Sequence, residues 1–243
     1  MAGHLTYRSD IDGLRSIAIL GVVIFHFFPR LLPGGFMGVD VFFVISGYLI
    51  TAIIFSSLQA GTFSFLDFYQ RRVRRIFPAL CLVLVAVLIA GWLVFLPHEF
   101  LATSRHAAVS ALFSANFIFW SELDYFDASK YQKPLLHLWS LGVEEQFYLL
   151  WPLIVAFAFR RTFKWLLPAI VALSFIGCAV LSIYDTEAAF YLPVTRFWEL
   201  GIGGLLAISE RRGKATPRRN GNLGVAGLLL ILISYAVPLP LDF

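Results

Sequence analysis

Residues 76–97 read IFPALCLVLVAVLIAGWLVFLP, a run with no charged position. A helix needs about 20 mostly apolar residues to cross a bilayer. The run is too long for a strand and does not alternate apolar with polar positions, so it reads as a membrane helix. Two more charge-free runs lie at 165–184 and 221–241. Working outward from these three, apolar stretches also occupy 14–29, 36–58, 106–121, 135–159 and 188–209. The weakest is 106–121, where the uncharged part extends only from Ala107 to Trp120. That length fits a re-entrant or interfacial segment better than a crossing.

Composition leads to the same class. Of 243 residues, 59% are hydrophobic and 14% charged, with a mean hydropathy of +0.80. Soluble domains average about 45–50% and 25%. A water-soluble globule of this size has no way to bury so much apolar surface. The figures also exclude disorder, collagen and a secreted disulfide scaffold. Cys81 and Cys178 both sit inside apolar runs, so neither a disulfide framework nor a zinc site is expected. No metal site and no nucleic-acid partner is expected. The first apolar run is not a signal peptide: His26 interrupts it, no A-x-A-like site follows, and further spans come after it.

Basic residues in short loops favour the cytoplasmic side. With the N-terminus inside and 106–121 not crossing, Arg8, Arg15, the arginines of 71–75, the cations of 160–164 and those of 211–219 all lie inside. Together they make fourteen of the 19 Lys and Arg residues. If 106–121 crossed, the two later basic loops would fall outside. The expected fold is therefore all-α: a polytopic transmembrane helical bundle of seven crossings, with one re-entrant or interfacial segment at 106–121.

Polar groups inside such spans are costly, roughly 2.5–3.5 kcal/mol each for Arg, Lys or Asp at mid-helix, so each needs a reason. Arg15 and His26 are spaced R-x10-H. Eleven residues make about three helical turns, placing both on nearly one face and about 16 Å apart along the axis. A histidine at that depth suits proton transfer near neutral pH; a packing histidine is the plainer alternative. Asp40, at the outer end of the second span, is placed to steady the imidazole, or simply to cap its helix. In RRVRR, Arg71 and Arg74, or Arg72 and Arg75, form i, i+3 pairs able to grip phosphates with forked bonds. Positive-inside anchoring is the alternative there. Around PLLHLWSLGVEEQFYLLWP, His137, Ser140 and Glu144 share a face by i, i+3, i+7 spacing. Glu144 and Glu145 are too costly beside an apolar run to lack a role, either pairing with arginine or positioning substrate. Arg196 and Glu199 are i, i+3 neighbours and read as a structural pair. No Walker loop, dinucleotide fingerprint, HExxH or G-x-S-x-G motif occurs.

Four blocks occur in order: YRSDIDGLRSIAILGVVIFHFFP, GGFMGVDVFFVISGYLI, FYQRRVRRIFPAL and PLLHLWSLGVEEQFYLLWP. Together they resemble the acyltransferase-3 family of bacterial membrane acyltransferases, and their wording is most similar to the O-antigen acetylase branch. The resemblance covers residue 7 to about residue 153. It implies transfer of an acyl group, usually acetyl, from cytoplasmic acyl-CoA to a hydroxyl of a cell-envelope carbohydrate or lipid-linked glycan. Acyl-CoA would be a co-substrate, with no tightly bound cofactor. The setting would be the bacterial inner membrane, crossed several times, with the N-terminus cytoplasmic. By the same resemblance, Arg15 and His26 match the family's R-x10-H pair, the arginines at 71–75 contain its R-x-x-R element in two registers, and Glu144 and Glu145 match its V-E-E-Q-F-Y block. Members have about ten spans and often a C-terminal SGNH-type esterase domain, so more helices are expected beyond Phe243.

These residues give His26 as catalytic base with Asp40 beside it in role. Arg15, Arg71, Arg72, Arg74 and Arg75 are the donor-binding set, and Glu144, Glu145 and His137 position substrate. The competing class is a transporter or flippase for an anionic or sugar-lipid substrate, since buried Arg, His and Glu serve that function too.

Overall fold

The computed structural model describes residues 8–122, 133–159, 165–213 and 221–237. The basic loops expected at 160–164 and 214–220, and the end of the last apolar stretch, lie outside these residues. The described chain forms ten α-helices and one short 3-10 helix, and no strand occurs among the described residues. The helices are α1 (Ser9–Phe27), α2 (Gly38–Gln59), α3 (Phe65–Val94), α4 (Pro97–Ala111), α5 (Ala115–Ser121), α6 (Leu138–Phe159), α7 (Leu166–Tyr184), α8 (Thr186–Tyr191), α9 (Pro193–Arg211) and α10 (Gly221–Ala236). The 3-10 helix, Gly35–Met37, leads directly into α2.

Four elements are both long enough and apolar enough to cross a membrane: Gly35–Gln59, Phe65–Val94, Leu138–Phe159 and Leu166–Tyr184. Two further helices, α1 and α9, have 19 residues each but carry charges, Asp10, Asp12 and Arg15 in one and Arg196, Glu199, Glu210 and Arg211 in the other. Shorter still is α10, apolar over 16 residues.

The stretch 106–121 is not one helix. Leu112–Ser114 separate α4 from α5, and Phe113 takes φ +54°, a left-handed conformation uncommon for a bulky residue. The break leaves 15- and 7-residue helices, neither of spanning length. The expected single span at 188–209 is likewise two helices. Leu192 precedes Pro193 and adopts an extended conformation (φ −74°, ψ 136°), as proline's ring forces on the residue before it. The run at 76–97 starts earlier than its apolar part: α3 opens at Phe65 behind Ser64, whose hydroxyl accepts from the Asp67 N–H at 3.3 Å. Its 30 residues extend about 45 Å, longer than a bilayer core of about 30 Å. Arg71–Arg75 therefore occupy the polar first part of one continuous helix.

The chain divides into two compact units. The first comprises residues 1–56 and 199–243. It is packed backbone against backbone. A Cβ on Gly47 of α2 would lie 1.8 Å from the Leu200 carbonyl oxygen, and one on Gly203 of α9 would lie 2.0 Å from that of Val44. Such approach requires the absence of a side chain and is a recurrent way to join helices in lipid. At the N-terminal end of α1, Arg8 forks onto Asp10 at 2.9 and 2.7 Å and reaches Tyr48 at 3.3 Å; Tyr48 donates to Glu210 at 2.5 Å. The guanidinium holds the Asp10 carboxyl below the usual carboxylate range, and Arg8 is itself raised by the same bond.

The second unit, residues 57–198, is held by rings and by side chains bonding to backbone. Phe147 stacks on Trp151 at 4.6 Å, one helical turn on. Trp139 meets Phe190 at 4.5 Å. Ser174 on α7 donates to the Val194 carbonyl at 2.5 Å and accepts from the Trp198 N–H at 2.9 Å, tying α7 to the first turns of α9.

Candidate acyl-transfer residues

In the first unit, Arg15 and His26 lie on one unbroken helix, α1, so the R-x10-H spacing has the three-turn geometry expected of it. Arg15 is half-buried with its guanidinium 5.4 Å from the centre of the Phe42 ring. His26 is exposed in the last turn. Its Nδ1 lies 2.8 Å from the Val22 carbonyl oxygen. A carbonyl only accepts, so Nδ1 carries the proton, and in the neutral ring it is Nε2 that presents the lone pair. That is the tautomer a general base requires, and here a backbone carbonyl sets it. Asp40, expected to orient the ring, is not needed for this. It stands half-buried in the first turn of α2, and its electric field acts on the phenol of Tyr235.

In the second unit, α3 and α6 bring the arginine run against the V-E-E-Q-F-Y block. Arg72 is half-buried, 4.5 Å from the centre of the Tyr148 ring and 5.9 Å from that of Phe68. Tyr148 in turn donates to Glu144. Glu145 is half-buried, with Arg72 and Arg75 as its cationic neighbours and Glu144 as its anionic one. Arg71 and Arg74 are exposed. Arg75 is exposed like these two, so Arg72 alone of the four is half-buried against the V-E-E-Q-F-Y block, while Arg72 and Arg75 are the two whose charges act on Glu145. Pro78 has no N–H, so the Arg74 carbonyl has no partner one turn later in the helix.

His137 is exposed and falls in the turn just before α6, not on the helix itself; Ser140 donates to its carbonyl at 3.1 Å. The expected shared face of His137, Ser140 and Glu144 thus begins one residue before the helix. Arg196 donates from Nε to the Phe190 carbonyl at 3.0 Å and lies 4.8 Å from the centre of that residue's ring.

Three groups went unseen in the sequence. Gln146 donates from Nε2 to the Phe113 carbonyl at 2.7 Å and to Asn116 Oδ1 at 2.9 Å. Asn116, fully buried, passes the chain on to the Tyr191 carbonyl at 3.1 Å. The left-handed Phe113 is thus fixed by a side chain from the block that also holds the glutamates. His106, buried on α4, pairs through Nε2 with Glu122 at 2.8 Å, and Lys133 reaches the same carboxylate at 3.2 Å. Only Gln146 stood in a motif singled out beforehand; the others have partners too far along the chain for spacing to show. Among the described residues no group of three or more His, Cys, Asp or Glu side chains is arranged to hold a metal ion.

Comparison with known proteins extends these features. The O-acetyltransferase OatA of Staphylococcus aureus is 36% identical over 210 residues, which cover 83% of this chain and 34% of that protein. The peptidoglycan O-acetyltransferase OatA of Listeria monocytogenes is 35% identical over 241 residues, 93% of this chain and 38% of that protein. The chain thus spans about a third of the length of the curated relatives it matches. No solved structure matches. The model of the acyltransferase domain matches residues 8–242, nearly the whole sequence, and the chain belongs to the acyltransferase-3 family.

Proposed function

We propose that this chain is the membrane domain of an O-acyltransferase that moves an acyl group, acetyl first among them, from cytoplasmic acyl-CoA to a hydroxyl of an envelope glycan. The observation that carries the reading is His26: exposed, with Nδ1 bound to the Val22 carbonyl and Nε2 left as an acceptor, on the helix that bears Arg15. As the glycan oxygen attacks the thioester carbonyl, Nε2 takes the hydroxyl proton. The C–S bond breaks and the CoA thiolate departs. General-base assistance of this kind is worth about 10²–10⁴-fold. Asp40, in the same unit, is assigned the supporting role beside the imidazole. Transfer by way of an acyl-histidine uses the same nitrogen.

The donor's phosphates are assigned to Arg71 and Arg74, the register that leaves Glu145 its cationic neighbours Arg72 and Arg75. The similarity to peptidoglycan O-acetyltransferases directs the acceptor towards peptidoglycan and away from the O-antigen that the sequence blocks first suggested. In topology, α1, α2, α3, α6, α7, α9 and α10 supply seven crossings, α4 and α5 stay on the outer side, and the N-terminus is cytoplasmic. Fourteen of 19 basic residues then lie inside.

The test supplies labelled acetyl-CoA to membranes carrying the natural full-length protein and follows label into envelope glycan. The proposed outcome is incorporation by the parent and none by a correctly inserted His26→Ala protein. Parental incorporation by His26→Ala would refute the base assignment.

A further inference from the structure

One buried hydroxyl of the first unit has no structural use. Tyr235 lies on α10 and is 2% exposed. Its ring covers Gly21 of α1, where an added Cβ would meet Cε2 at 2.5 Å. Its Oη sits between α1 and the start of α2: a Cβ on Gly21 or on Gly38 would lie 3.1 Å from it. The Gly34 N–H donates to the Tyr235 carbonyl at 2.9 Å, fixing the residue at this level. Yet Oη makes no hydrogen bond among the described residues. A buried hydroxyl without a partner destabilises the fold, and phenylalanine would fill the same notch without that penalty. The sequence nonetheless has tyrosine, and the charged group acting on its phenol is Asp40, two residues after Gly38.

We infer that Tyr235 is a positioning residue for the transfer, giving its hydroxyl hydrogen bond to the Asp40 carboxylate as His26 becomes charged. This rests on the reading of His26 as base. The phenol holds the Asp40 carboxylate in place through the step in which the imidazolium forms, so the bond is made in the transition state more than in the resting protein. An interaction realised only there raises kcat and leaves donor binding alone. The glycines explain why the hydroxyl arrives at this place: any side chain at 21 or 38 would displace it.

The experiment uses the natural full-length protein in membranes, with labelled acetyl-CoA and the membranes' own glycan. It compares Tyr235→Phe, Asp40→Asn, the double variant and His26→Ala. Loss of a hydrogen bond to a charged group predicts a fall in kcat of about 10–100-fold for Tyr235→Phe. KM for acetyl-CoA should stay within about twofold, and the melting temperature should be unchanged or higher. The double variant should be no slower than Asp40→Asn alone. Parental kcat in Tyr235→Phe with an inactive His26→Ala overturns the role of Tyr235 and leaves the base in place. Parental kcat in both overturns the base and the role of Tyr235 with it. Losses from Tyr235→Phe and Asp40→Asn that simply multiply show that the two act independently, which also overturns the inference.

Discussion

The two units of this chain are held by different means. In the first, α2 and α9 meet through Gly47 against Leu200 and Gly203 against Val44, with backbone atoms where side chains would otherwise be. In the second, Gln146, Asn116 and Ser174 bridge helices through hydrogen bonds to carbonyls, among stacked rings. The contrast follows from what holds helices together where lipid is as apolar as leucine. Close backbone packing and inter-helical hydrogen bonds are the two available devices; the second unit is held mainly by the latter, while the first adds the Tyr48–Glu210 bond to its glycine contacts. The consequence for function is that the second unit already contains a polar interior in which charged groups can be balanced. The first unit buries Ser46, Thr51, Glu199 and Tyr235, and each of them calls for its own explanation.

The device in the first unit is the easier to break. A Gly47→Ala methyl would lie 1.8 Å from a carbonyl oxygen that has no freedom to rotate away. The α2–α9 contact has to open by more than an ångström, and overpacking of this kind costs about 1–3 kcal/mol or more. Thermal unfolding in detergent should show the largest drop of any single substitution discussed here. Gly177→Ala, on α7 with nothing within 4 Å of the new atom, should be neutral or slightly stabilising. Equal effects of the two substitutions would show that helix propensity, not close approach, decides.

In the second unit, the matching substitution is Gln146→Met. Of nearly the same volume, methionine leaves the Phe113 carbonyl and Asn116 Oδ1 without their donor. Each buried acceptor so stranded costs about 1–3 kcal/mol, less where water enters. A loss of about 2 kcal/mol is expected, with greater protease cleavage near 112–114, because the backbone bonds of Phe113 to Ser110 and Ser114 to Val109 remain but the Phe113 carbonyl loses its tie to α6. A stable Gln146→Met protein with an intact turn would mean that ring packing alone carries this unit.

The arginine registers sharpen the same comparison at the level of ligand binding. Removing Arg71 and Arg74 should weaken acetyl-CoA binding by about 10–100-fold, as expected for charge-assisted bonds, and leave melting unchanged. Removing Arg72 and Arg75 should do the reverse, lowering melting because Glu145 loses its cationic neighbours and Tyr148 its guanidinium. Isothermal titration and thermal unfolding on the parent and the two double variants separate the outcomes. Donor binding lost only from the 72/75 pair would exchange the two roles.

Much of the fold was legible in the run lengths, because a membrane helix announces itself by length and absence of charge. The helices at 36–58, 135–159 and 165–184 were found within a few residues. What escaped were the interruptions. The break at Leu192 was signalled by Pro193, but an apolar count ignores proline. The break at Phe113 was not signalled; the side chain that binds its carbonyl, Gln146, lies 33 residues later. For the site, residue spacing placed Arg15 and His26 correctly because one helix carries both. It left the arginine registers open because the groups beside Arg72 and Arg75, Tyr148 and Glu145, are on another helix. The carbonyl of Val22, which sets the His26 tautomer, is a backbone group and so has no signature in residue type.

The smallest expected effect tests whether polar contacts in the first unit contribute as little as its glycine packing implies. Arg8 and Asp10 make the best-formed ion pair there, with forked bonds of 2.9 and 2.7 Å, but their side chains are 45% and 61% exposed. Water already solvates both partners, and pairs of this kind contribute about 0–1 kcal/mol. Asp10→Asn should therefore shift melting by about 3 °C or less at neutral pH, where 1 kcal/mol is worth about 2–4 °C in a domain of this size. The pH dependence has a definite sign. The Asp10 carboxyl is held below its ordinary range by Arg8, so its contribution is present above the unfolded value of about 3.9 and fades as pH falls through the lower folded value. The difference between parent and Asp10→Asn should then be constant from pH 7 to about pH 5 and close below about pH 4. Raising salt to about 1 M shortens the screening length to about 3 Å and should shrink it as well. A difference much larger than 1 kcal/mol that survives salt would show that Arg8, through Tyr48 and Glu210, is part of a network that supports the first unit as Gln146 supports the second.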